Sequence, residues 1–181
     1  MIQKCSLFNV LNAFFKEPTK IHFIREISRE INLAHTSVKK HIDILFKENL
    51  ILKKESKPFN GYIANRESDK FILYKRAFNL ISIEPIISEI KDKISPKAIV
   101  LFGSYQKGED IEKSDIDVLL ISKVKKTLDF SKYEKQLKRQ IHITTVENLK
   151  ELVNAASGFN WLDSEEEFSS PMMAFLDQAV L

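Results

Sequence analysis

This chain of 181 residues has a single cysteine. With Cys5 alone, a disulfide framework and a thiolate metal site are both excluded. Long apolar runs are also missing, and nothing approaches the roughly 20 residues that a membrane-spanning helix needs. The opening MIQKCSLF lacks the apolar core and cleavage site of a secretory signal. Internal repeats and low-complexity tracts are absent as well. The charges nearly balance, with 28 Lys and Arg against 25 Asp and Glu, a formal +3. Together these absences predict a cytoplasmic protein with no membrane contact.

The composition that remains is that of a globular chain, 44% apolar and 29% charged, with room for one large domain or two small ones. Its charge is unevenly placed. Residues 1–70 hold 13 Lys and Arg against 8 Asp and Glu, while residues 71–181 hold 15 against 17. A polyanion is therefore expected to meet the first part of the chain.

The most informative stretch is AIVLFGSYQKGEDIEKSDIDVLLIS, residues 98–122. Residues 98–102 and 118–121 are continuously apolar and read as buried strands. Between them stand Gly103-Ser104, ten further residues, and Asp115-Ile116-Asp117. Strand alternation puts Asp115 and Asp117 on one face, while Ile116 and Val118 turn into the core. Neighbouring carboxylates repel unless a positive charge sits between them, and Mg²⁺ takes such oxygen ligands together with phosphates. Gly103 lets the backbone approach a ligand, and Ser104 with the following N–H groups can hold phosphate oxygens. The candidates are thus Gly103 and Ser104 for nucleotide binding, and Asp115 and Asp117 for metal binding and catalysis.

This G-S-x10-D-x-D pattern between apolar strands resembles the minimal nucleotidyltransferase domain of the DNA polymerase β superfamily. The resemblance implies Mg²⁺ or Mn²⁺ as cofactor and a nucleoside triphosphate, ATP foremost, as substrate. It also implies a third carboxylate on the third strand, and there RQIHITTV places His142. Neutral imidazole is a poor Mg²⁺ ligand and suits Mn²⁺ or Zn²⁺ better, so nucleotide binding is better supported than transfer. Isolated domains of this kind also act as antitoxins that modify a partner toxin with AMP. A toxin or another protein acceptor is therefore a possible partner.

In the first part of the chain, Leu7, Val10, Leu11 and Phe14 lie at helical spacing, and Glu17-Pro18 ends that helix. Residues 21–23 read as extended. Ile24, Ile27 and Ile31 form the stripe of a second helix, closed by Asn32 in the left-handed conformation. A third helix is expected over 35–48, with Val38, Ile42 and Leu45 inward, His41 packed beside them, and Asn49 closing it. Since Ala34 stands where Ser or Thr is usual, the cap is expected at Thr36. Residues 50–54 and 61–64 read as the strands of a hairpin around ESKPFNG.

Three helices and a hairpin are the order of a winged helix-turn-helix. The segment LAHTSVKKHIDILFKENLI resembles the recognition helix and wing start of ArsR-type transcriptional regulators. The resemblance implies that the helix face opposite Val38, Ile42 and Leu45 enters the major groove of double-stranded DNA. His35, Thr36, Ser37, Lys39 and Lys40 would lie on that face, and Lys53, Lys54 and Lys57 would reach phosphates. Half-sites come in pairs, so a homodimer is expected.

The expected fold class is α+β, in three parts. Residues 1–66 form the winged helix-turn-helix DNA-binding domain, and residues 67–95 a helical connector. Residues 96–181 form the minimal nucleotidyltransferase-like α/β domain. Within the connector, Phe71, Leu73, Tyr74 and Phe78 mark one helix, and Pro85 opens another with Ile86, Ile87, Ile90 and Ile94. After Ser122 come a helix over 129–138, a strand over 140–145 and a helix over 147–156. Further on lie a solvated acidic run at 165–167 and a last apolar helix from Pro171. The preferred reading is a DNA-binding transcriptional regulator with a nucleotide- and Mg²⁺-binding second domain. The alternative is an active adenylyltransferase, as in the antitoxin of a toxin–antitoxin pair.

Overall fold

A computed structural model of the chain describes residues 5–55 and 59–148. It divides into two compact units, which mix helix and strand in α+β fashion. The first contains residues up to Asn79 together with Lys107–Lys113, and the second contains Leu80–Gln106 and the chain from Ser114 onward.

The first unit begins with three helices, α1 (Ser6–Lys16), α2 (Ile24–Glu30) and α3 (His35–Lys47). A two-stranded antiparallel hairpin follows, β1 (Ile51–Lys54) with β2 (Gly61–Ala64), in which Ile51 pairs with Ala64 and Lys54 with Gly61. The extended residues before α2 add a bridge, with His22 and Tyr62 exchanging backbone hydrogen bonds of 2.7 and 2.8 Å. Apolar residues at helical spacing account for the packing. Val10 and Phe14 of α1, Ile27 of α2, and Val38 and Ile42 of α3 are all fully buried in one core. Each such side chain is worth about 1.5–3 kcal/mol of burial. Phe15 sits between Phe71 and Phe78, both ring centroids 5.2 Å away.

Asn32 and Asn49 take the left-handed conformation (φ 50° and 57°) just past their helices, as expected. The expected cap at Thr36 is not what forms. α3 starts at His35 with its cap at Ala34, two residues earlier, and the Ala34 carbonyl accepts the Ser37 and Val38 amides at 2.9 and 3.0 Å with no side-chain cap.

The connector also departs from expectation. Asp69–Ile94 is one 26-residue helix, α4, with Pro85 inside it. Proline removes one backbone donor and crowds the preceding turn. On either side of it, however, Ile83, Ile86, Ile90 and Ile94 are buried on a single stripe, and that burial carries the helix through.

In the second unit, β3 (Ala98–Phe102), β4 (Ile116–Ile121) and β5 (Ile141–Val146) form a sheet in the order β3-β4-β5. β3 runs antiparallel to β4, and β5 parallel to it. Two short helices complete the unit, α5 (Gly103–Lys107) directly after β3 and α6 (Ser131–Leu137) before β5. Ile116, Val118 and Leu120 face the isoleucines of α4 and Phe130, while Leu119 lies on the other face with Val100 and Val146. Glu147 and Asn148 form a bend, not the start of the expected helix. The rest of that helix, the acidic run at 165–167 and the final apolar helix lie outside the described residues.

Candidate active site

Burial of Ile116, Val118 and Leu120 decides which way β4 faces. A one-residue slip would turn all three to the opposite side, so Asp117 is held on the opposite face. In the sheet register Asp117 lies between Phe102 on β3 and His142 on β5. Asp117 is half-buried, whereas Asp115, just before the strand, is exposed.

At the end of β3 the chain turns through Gly103 with φ at 73°. A β-carbon there would stand 2.8 Å from Asp117 Oδ2. A side chain is therefore opposed twice, by backbone conformation and by the carboxylate. Ser104 follows, half-buried at the start of α5, and the next residue, Tyr105, is buried in the sheet core. The predicted nucleotide-binding turn and the predicted metal-binding acid thus meet at one end of the sheet.

His142 Nε2 lies 3.6 Å from Asp115 Oδ2, with side chains 57% and 47% exposed. That separation is too long for a hydrogen bond, so the imidazole stands beside the carboxylate without being locked to it. Among the described residues, no group of three or more His, Cys, Asp or Glu side chains is arranged to hold a metal ion. Two carboxylates suit a hard divalent cation whose remaining ligands are substrate oxygens or water, and a bare glycine beside them leaves room for a phosphate. On donor chemistry, Asp115 and Asp117 fit such a group.

Arg139 is a neighbour that the sequence pattern did not single out. It donates from Nη1 to the Ser114 carbonyl at 2.9 Å and lies over the Tyr105 ring, 5.5 Å from its centroid. It thus steadies both the residue before Asp115 and the residue after Ser104. An arginine in a basic stretch carries no spacing signal that could have marked it.

The expected DNA-facing residues lie elsewhere, in the first unit. His35, Thr36, Lys39 and Lys40 are exposed on α3 and Ser37 is half-buried, with Val38, Ile42 and Leu45 on the opposite, buried side. Lys53 and Lys54 are exposed on β1, while Lys57 lies outside the described residues. His41 Nε2 shares a 2.8 Å hydrogen bond with Ser6 Oγ, the packed role expected of it.

The chain is 46% identical over 44 residues to a protein of Methanocaldococcus jannaschii that bears the name of a protein adenylyltransferase. The aligned stretch is 24% of this chain and 44% of that protein, so the chain spans less than half the length of this relative. No solved structure matches the chain. Residues 83–164 match the family model of the nucleotidyltransferase domain.

Proposed function

We propose that this chain is a nucleotidyltransferase that binds a nucleoside triphosphate, ATP foremost, with Mg²⁺ or Mn²⁺. It transfers the nucleoside monophosphate to a hydroxyl of a protein acceptor. The observation that carries this reading is the approach of Gly103 to Asp117, which sets a turn with no side chain directly beside a carboxylate. Asp115 and Asp117 would hold the cation, and Ser104 would orient phosphate oxygens by donating from its hydroxyl. A bound divalent ion would draw charge off those oxygens. In the transfer, the acceptor hydroxyl oxygen bonds to the α-phosphorus and the bond to the α–β bridging oxygen breaks. Pyrophosphate leaves, and the hydroxyl proton passes to solvent. The relative's name supports a protein acceptor.

The test is transfer from α-labelled ATP to protein, read on a denaturing gel with Mg²⁺ and with Mn²⁺. Label that follows the divalent ion and disappears in Asp117→Asn supports the reading. Label retained by Asp117→Asn contradicts it.

A second reading concerns the first unit and is supported by a separate observation. The element order α1-α2-α3-β1-β2, with the His22–Tyr62 bridge, supports a winged helix, and His35, Thr36, Lys39 and Lys40 are exposed on α3. On this reading residues 1–66 bind double-stranded DNA as part of a homodimer, and the protein is a cytoplasmic transcriptional regulator. Residues 67–95 then connect this domain to a nucleotidyltransferase domain over 96–181. The two readings are compatible, since DNA binding would recruit or regulate the transferase.

A further inference from the structure

Of the ten residues between Ser104 and Asp115, seven do not stay with the sheet that these two flank. Lys107–Lys113 packs as part of the first unit, whereas residues 103–106 and 114–117 belong to the second. At the centre of this spacer Asp110 is fully buried, paired with an equally buried Lys75 on α4. Lys75 Nζ donates to Asp110 Oδ2 at 2.9 Å and to the Phe15 carbonyl at 2.7 Å. Asn79 Nδ2 donates to Asp110 Oδ1 at 2.7 Å.

Further contacts hold the rest of the spacer. Thr19 donates its N–H and its hydroxyl to the two carboxylate oxygens of Glu112, at 2.8 and 2.7 Å. Arg66 donates to the Glu109 carbonyl at 3.1 Å. At Gly108, φ is 75°, and a β-carbon would meet the Ile72 carbonyl and Arg76 Cγ at 2.8 Å. The spacer backbone is thus pressed directly onto α4.

A buried lysine–aspartate pair is a costly way to hold a loop, because two ions leave water and apolar residues of similar volume pack at lower cost. What the pair adds is direction: both Asp110 oxygens accept a bond, and Lys75 is tied to the end of α1. The spacer is covalently bonded to the residues on which the nucleotide reading depends. We propose that Lys75 and Asp110 are positioning residues of the nucleotide site, fixing the spacer so that Ser104 and Asp115 are presented together to a metal–triphosphate complex. This inference rests on the nucleotide reading given above. By linkage, nucleotide binding and the seating of the spacer reinforce each other.

The experiment compares wild type with Lys75→Met/Asp110→Leu, an apolar pair that keeps the volume, and with Asp110→Asn, which turns one of the two acceptors into a donor and leaves Lys75 without its counter-ion. Two readouts are taken: Mn²⁺–ATP affinity by calorimetry, and amide hydrogen exchange of the peptides covering 103–106 and 114–117. The apolar pair is expected to weaken affinity by about tenfold and to speed exchange in both peptides by a similar factor, a coupling of ordinary size. Asp110→Asn is expected to move both readouts in the same direction. If the apolar pair does not fold, Asn79→Ala, which removes one bond to Asp110, should move both readouts the same way by about threefold. Wild-type affinity and exchange in a folded variant would overturn the inference while leaving the nucleotide reading intact. If the wild type binds no nucleotide, that reading falls and the exchange data alone decide. Unchanged exchange at 103–106 and 114–117 then overturns the inference as well.

Discussion

The β-carbon that Gly103 lacks would stand 2.8 Å from the carboxylate Oδ2 of Asp117. Residues fourteen apart in the chain are thereby locked at one end of a sheet whose register already sets Asp117 opposite Phe102. Gly103→Ala would force a left-handed backbone onto an L side chain, costing about 1–2 kcal/mol, and would push the carboxylate aside. Chemical denaturation should show that loss, and metal-dependent ATP affinity should fall more than the stability change alone requires.

His142 stands where relatives of the polymerase β type are expected to carry an acid, in register with Asp117 and 3.6 Å from Asp115. Imidazole accepts Mn²⁺ more readily than Mg²⁺. Wild-type transfer of label from ATP should therefore be faster with Mn²⁺ than with Mg²⁺. His142→Asp should raise the Mg²⁺ rate and narrow the difference, measured as initial rates with each ion.

On α3, Lys39 and Lys40 are exposed beside His35 and Thr36. If this face meets duplex DNA, Lys39→Ala with Lys40→Ala should weaken binding and lower the slope of log affinity against log salt by about 0.9 per lost phosphate contact. Fluorescence anisotropy across a salt series reads both quantities. No duplex affinity of the wild type at low salt would remove the regulator reading.

Glu112 offers a pH test of the spacer seat. Burial pushes its pKa up, but hydrogen bonds from the Thr19 hydroxyl and from backbone amides outweigh burial and leave it below the usual carboxylate value. A group depressed in the folded state adds stability above its unfolded pKa, about 4.3 for Glu, and loses that contribution as pH falls through the folded value. Glu112→Gln should therefore melt lower than wild type at neutral pH, by the equivalent of about 1 kcal/mol. In thermal melts taken toward pH 3 the two curves should converge.

Much of this fold could be read locally. The stripes Val10–Phe14 and Val38–Ile42–Leu45, the left-handed Asn32 and Asn49, and the alternation around Asp117 all follow from spacing within a few residues. What could not be read depends on partners far away in the chain. Pro85 spoke for a helix start, and only the buried isoleucines on both sides of it keep α4 continuous. Nothing local marks Asp110, because its partner Lys75 is 35 residues away and no spacing rule joins them. Arg139 reaches Ser114 across 25 residues for the same reason.

The central claim is that Gly103, Ser104, Asp115 and Asp117 together bind a nucleoside triphosphate through a divalent cation. Titration calorimetry of ATP into wild type and Asp117→Asn, each with Mn²⁺ and with the ion chelated, tests it most directly. Binding by the wild type is expected only when the ion is present, with the ion-dependent part lost in Asp117→Asn at unchanged melting temperature. Equal ATP binding by the two proteins, or binding indifferent to the ion, would contradict it.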